Sequence, residues 1–120
     1  MKYLALIYAD EAAWQTFSPE QKAEAYKLYG AFAEEARQAG VMVGGEELDS
    51  TTTATTVRVR GDETLVTDGP FVELKEALGG YFVFECDSMD EACAWAAKCP
   101  GAEHGTIEVR PVYDDEGGPS

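Results

Sequence analysis

The chain opens on Tyr3-Leu4-Ala5-Leu6-Ile7-Tyr8, a short apolar run that stops at Asp10-Glu11. A run this short, with no polar alternation, reads as a strand buried on both faces. Ser18-Pro19-Glu20-Gln21 then announces a helix. Ser18 is the N-cap, Pro19 sits in the first turn, and Gln21 closes a capping box. Behind it Ala25, Leu28, Tyr29, Phe32, Ala36 and Ala39 form one apolar stripe at helical spacing. The stripe predicts a helix of about twenty residues, and Gly40 supplies a left-handed stop.

Val41-Met42-Val43 begins a second strand, which the pattern has interrupted at Gly44-Gly45. The polar stretch 49–53 reads as a loop into Thr55-Thr56-Val57-Arg58-Val59-Arg60, alternating and rich in β-branched residues. Gly61-Asp62 turns that strand back into Thr64-Leu65-Val66-Thr67, a hairpin. Asp68-Gly69-Pro70 is a turn, Phe71 to Leu78 reads as a short helical turn, and Gly79-Gly80 ends it. Tyr81-Phe82-Val83-Phe84-Glu85-Cys86 is again apolar on both faces. Ser88 and Glu91 form a second capping box for a helix through Lys98, with Ala92, Trp95, Ala96 and Cys99 on its stripe and Pro100-Gly101 as its end. The last strand, 106–112, sends Ile107 and Val109 one way and Thr106, Glu108 and Arg110 the other.

The order β, α, β, an extra hairpin, then β, α, β predicts an α+β, ferredoxin-like domain over residues 1–113, followed by an acidic, Gly-rich flexible tail, 114–120. Two helices cover one side of a four-stranded sheet, yet the runs 3–8 and 81–86 are apolar on both faces. The second face therefore needs a cover, and the same face of another copy supplies one, which predicts a two-fold homodimer.

Composition narrows the partners. The 120 residues carry 23 acidic and 9 basic side chains, a formal charge of −14. That balance excludes a general nucleic-acid binder and disfavours an anionic membrane surface. Cys86, Cys93 and Cys99, with one histidine, make no zinc pattern, so no metal site is expected and the thiols read as small hydrophobes. The apolar run at the start is too short to span a membrane and lacks a signal-peptide cleavage context. A reduced, cytoplasmic protein is expected. The chain has neither a phosphate loop nor a haem or flavin motif, and no cofactor is expected.

Several separated motifs carry a family resemblance. Thr55-Thr56-Val57-Arg58, Thr67-Asp68-Gly69-Pro70-Phe71-Val72-Glu73-Leu74-Lys75-Glu76, Leu78-Gly79-Gly80-Tyr81 and the ending Gly105 to Pro111 resemble the DGPF family of YCII-related proteins, in order and over residues 1 to 113. The resemblance implies a dimeric α+β barrel, similar to small monooxygenases and muconolactone isomerases, with a cleft against the sheet. Some family genes lie beside extracytoplasmic-function sigma factors, which implies stress or regulatory roles. YCII proteins proper are thought to carry a His–Asp pair; here the single histidine, His104, stands beside the last strand.

The candidate site residues follow. Asp68 is a general base if its turn is buried, or a turn cap accepting backbone N–H groups. Lys75 holds a substrate anion, or pairs at the surface with Glu73 or Glu76. Arg58, Glu108 and Arg110 face away from the apolar positions of their strands. They either line a cleft and bind an anion or fix the dimer by cross-strand pairing. His104 is expected in a loop, titrating near neutrality or simply solvated. Tyr81 and Tyr3 offer hydroxyls to the cleft or pack in the core. Two functions are open: a dimer that binds a small, anionic ligand or serves regulation, and a cofactor-free enzyme doing acid–base chemistry on a small acidic or carbonyl compound.

Overall fold

The computed structural model describes residues 1–114 and 118–119. Strand β1 spans Lys2–Ala9, helix α1 Glu11–Gln15, α2 Pro19–Gln38, β2 Met42–Glu47, β3 Thr55–Arg60 and β4 Glu63–Asp68. Then follow β5 Ala77–Glu85, α3 Met89–Lys98, α4 Gly101–His104 and β6 Thr106–Pro111. Two-residue strands β7, Tyr113–Asp114, and β8, Gly118–Pro119, pair antiparallel. The flexible tail expected over 114–120 falls largely on 115–117 and 120, which lie outside the described residues.

Strands β2-β5-β1-β6 form one antiparallel sheet in that order. β5 lies between β1 and β2, and β1 lies between β5 and β6, so two split β-α-β units interlock. This is the ferredoxin-like α+β fold that the element order predicts.

α2 starts where expected because both halves of its capping box form. The Ser18 hydroxyl accepts from Gln21 N–H at 3.1 Å, and the Gln21 side chain accepts from Ser18 N–H at 2.8 Å. Phe32 and Ala36 are buried on the sheet, and Tyr29 packs beside them. Leu28 does not join them; it is 50% exposed. The shorter α3 meets α2 through the Lys98–Glu35 ion pair (2.5 Å) and through Tyr29 against Cys99 at the end of α3. From the sheet, Tyr3, Ala5, Ile7, Phe84 and Cys86 complete the core, with Ala92, Ala96 and Cys99 from the α3 side. Phe32 and Phe82 ring centroids are 5.5 Å apart, within the range for attractive aromatic packing.

The second cap differs in detail. Ser88 accepts from Glu91 N–H, but the Glu91 carboxylate reaches past the cap to Asp87 N–H at 3.0 Å. Further differences have local causes. No helical turn forms at 71–78. β5 begins at Ala77 and runs through Gly79-Gly80, where β2 comes so close that a Cβ on Gly80 would stand 2.9 Å from the Glu46 carbonyl oxygen. Those glycines permit a close strand approach rather than ending an element. Gly44-Gly45 likewise lies inside β2, with a register shift between Met42 and Gly44. Gly101 opens α4 instead of closing α3, so His104 ends a short helix rather than sitting in a loop. Helix α1, capped by the Asp10 carboxylate, was not foreseen. Cys93 is exposed, unlike Cys86 and Cys99.

The hairpin is a separate two-stranded ribbon. β3 and β4 pair only with each other, and every residue of the two strands except Thr56 is exposed. Arg58, expected to line one cleft with Glu108 and Arg110, is therefore on this ribbon, apart from the sheet that carries those two.

Candidate functional site

Alternation along β1 assigns the two faces of the main sheet. Tyr3, Ala5 and Ile7 are buried under the helices, so Lys2, Leu4, Leu6 and Tyr8 point to the opposite side, where the last three are half-buried. Cross-strand register extends that face. Leu4 lies opposite Val83 on β5 and Arg110 on β6, and Gly44 lies opposite Val83 on β2. The neighbouring row is Glu46, Tyr81, Leu6 and Glu108. Lys2 stands opposite Glu85 at the end of the face.

The result is an apolar floor of Leu4, Leu6, Tyr81 and Val83, with charge around its rim. Arg110 and Lys2 form no ion pair among the described residues, whereas Glu85 is taken by the N-terminal amino group at 3.0 Å. Arg110 is exposed, its guanidinium planar and always charged, and it is suited to bidentate contact with a carboxylate. Lys2 belongs to this rim and was missed. Its parity with Leu4 and Leu6 along the same strand was the signal.

The structure brings together Tyr81, Glu108 and Arg110 from the sequence candidates and leaves the others apart. Asp68 ends β4 opposite Thr55, exposed, and its carboxylate takes no hydrogen bond among the described residues. The turn is held instead by Gly69 N–H to the Ala54 carbonyl at 2.7 Å and by the Thr56 hydroxyl donating to the Gly69 carbonyl at 2.8 Å. Arg58 lies over the Phe71 ring, 5.7 Å from its centroid, which folds the returning chain back on the ribbon. Lys75 is exposed and unpaired among the described residues; its neighbour Glu76 accepts from the Thr106 hydroxyl at 2.8 Å. His104 is exposed. Tyr3 is on the other side of the sheet, in the core.

Two nucleophile-bearing groups sit together behind the sheet. Burial pushes the Tyr29 hydroxyl well above its ordinary 10.0, reinforced by the adjacent Cys99 thiol, and burial raises Cys99 from 9.0. Both are thereby kept protonated, which suits packing rather than attack. Among the described residues no group of three His, Cys, Asp or Glu side chains is placed to hold a metal ion. No helix among them is long and apolar enough to cross a membrane.

Fold and face together define a ferredoxin-like domain with helices on one side of its sheet and an uncovered, half-apolar surface on the other. The family model of the YCII-related domain matches residues 1–115, and the chain belongs to that family. It is 36% identical over 114 residues to the uncharacterised protein R00369 of Rhizobium meliloti (strain 1021), a match covering 93% of this chain and 92% of that relative.

Proposed function

We propose that this protein is a homodimer whose uncovered sheet faces pack together, enclosing a cleft for a small organic anion. The observation that carries the reading is the row Val83–Leu4–Arg110: two apolar side chains and, on the same face, a guanidinium with no ion pair among the described residues. The apolar floor gives a reason to associate, because a contiguous apolar surface of this kind is rarely left in water. Arg110, with Lys2 nearby, gives a reason to select an acid. A ligand with a hydrocarbon or aromatic body and one carboxylate fits both demands. The acidic groups Glu46 and Glu108 on the same face disfavour a multiply charged anion. Tyr81, opposite Leu6, offers a hydroxyl to the ligand. A regulatory role through the bound state is compatible with this dimer and needs no reaction.

The test combines solution mass with a thermal-shift screen against aromatic and aliphatic monocarboxylates. The expected mass is twice the chain's 13.0 kDa. A ligand at a hundred times its dissociation constant adds about 2.7 kcal/mol, which raises Tm by several degrees and is lost in Arg110→Gln. A single-chain mass overturns the dimer, and a screen without a shift overturns the anion cleft.

A further inference from the structure

The β3–β4 ribbon is the least supported part of the fold. A lone two-stranded ribbon is marginally stable in water and needs a third strand or a helix against one face. Its two faces differ in chemistry. Val57, Val59 and Val66, with Thr64, share one face and are 61%, 60% and 63% exposed for the three valines. The other face bears Arg58, Arg60, Glu63 and Leu65, with Phe71 folded onto Arg58. The valine face, bounded at its base by Thr55 and Asp68, is thus an apolar strip on which none of the described residues pack.

Charge and topology point to a second copy. Residues 55–75 hold three of the nine basic side chains but only four of the twenty-three acidic ones. The ribbon is nearly neutral and the body strongly acidic, so laying the ribbon against a second copy meets far less like-charge repulsion than bringing two acidic bodies together there. The ribbon also leaves from the β2 edge of the sheet, where Leu48 N–H still bonds the Gly79 carbonyl at 2.9 Å. When two such sheets stack about a two-fold axis running along the strands, the β2 edge of each lies over the β6 edge of its partner. A six-residue strand extends about 20 Å, twice the roughly 10 Å between packed sheets, long enough to pass the partner's sheet.

A candidate receptor lies at that β6 edge, on the helix-covered side of the sheet. A groove of about 310 Å³ between α3 and β6 is lined by Cys93, Ala96, Ala97, Ile107 and Val109. Its alanines leave room for branched side chains, and its walls are mainly apolar, with Thr106 among them. We propose that each ribbon crosses to a second copy and lays its valine face in the partner's α3–β6 groove, making the dimer an exchange of arms. This rests on the face-to-face dimer proposed above.

Cys93 makes the proposal testable, since it is the one exposed thiol among the three cysteines and lies in the groove. The experiment treats Val57→Cys with a short bis-maleimide and maps the bridged peptides. The expected result is a covalent dimer joining position 57 of one chain to Cys93 of the other, abolished by Cys93→Ser. Thr64→Cys, on the same face, repeats the test should Val57→Cys fail to fold. A bridge within one chain, a 57-to-57 bridge, or no bridge in a protein that is dimeric by mass overturns the arm exchange and leaves the sheet-face dimer standing. A protein of single-chain mass overturns both.

Discussion

Leu4 on β1 stands directly opposite Arg110 on β6, so an aliphatic side chain and a guanidinium share one row of a sheet face that no helix of the described residues covers. Leu4→Asp separates the two things that row is proposed to do. In the single chain Leu4 is half-buried, so a carboxylate there keeps access to water and costs the fold little. Between two packed faces the same carboxylate would be desolvated, at a cost of several kcal/mol. The expected outcome is a folded protein with unchanged circular dichroism and a single-chain mass by light scattering. A variant that stays dimeric would place the interface elsewhere.

The turn at the foot of the ribbon yields opposite expectations for adjacent residues. Asp68 is exposed and takes no hydrogen bond among the described residues, so Asp68→Ala should change stability by no more than about 0.5 kcal/mol. Gly69 has φ +97°, where a side chain is strained, and Gly69→Ala should cost about 1 kcal/mol or more. Denaturant melts of the two variants check the contrast. A large loss in Asp68→Ala would restore it as a structural cap.

The helix-covered side should behave as a tightly packed core. Phe84 is fully buried, stacked near Phe82 and edge-on to Phe32. Phe84→Ala removes that ring from a site closed by sheet and helices, and about 3–5 kcal/mol of stability is expected to go with it. Val83→Ala, one residue away but on the uncovered face, should cost the isolated chain much less. Its cost should appear instead as a rise in the dissociation constant of the proposed dimer, measured by dilution.

The sequence was most legible where a side chain's job is local. Ser18 and Gln21 sit three apart and bond each other's backbone, so the start of α2 could be read from four letters. The β1 run was legible as a short apolar block that stops at charge, and the β3–β4 hairpin through alternation and its Gly61-Asp62 turn. What failed depended on neighbours distant in sequence. Gly79-Gly80 looks like a stop, and only the approach of the Glu46 backbone makes it the middle of a strand. Arg58 alternates as a sheet residue does, but alternation does not reveal which sheet a strand joins. The Lys2–Arg110 end of the open face needed the β1–β6 register, over a hundred residues apart in the chain. Of the candidate residues, Tyr81, Glu108 and Arg110 follow from strand parity. Asp68, Lys75 and His104 were singled out by motif or residue type, and neither specifies a place on the sheet.

Alkaline pH should weaken the fold through the Tyr29–Cys99 contact. Both groups have their pKa raised in the folded protein, chiefly by burial, above ordinary values of 10.0 and 9.0. Below pH 9 both are protonated in folded and unfolded chains alike, and their full contribution to stability is present. As pH climbs past 9 and then 10, the unfolded chain releases protons that the folded chain keeps, so the equilibrium moves toward unfolding. Stability should therefore fall with rising pH in that range, with more protons released on unfolding than at neutrality. Tyr29→Phe removes one of the two groups and retains the ring. Its stability at neutral pH should change by about 1 kcal/mol, the worth of a single hydrogen bond, and its decline above pH 10 should be shallower than wild type. Urea melts of both proteins from pH 7 to 11 measure this directly. Parallel curves would mean that Tyr29 ionises as readily in the fold as outside it, and that its hydroxyl is not shielded by the α2 and α4 packing.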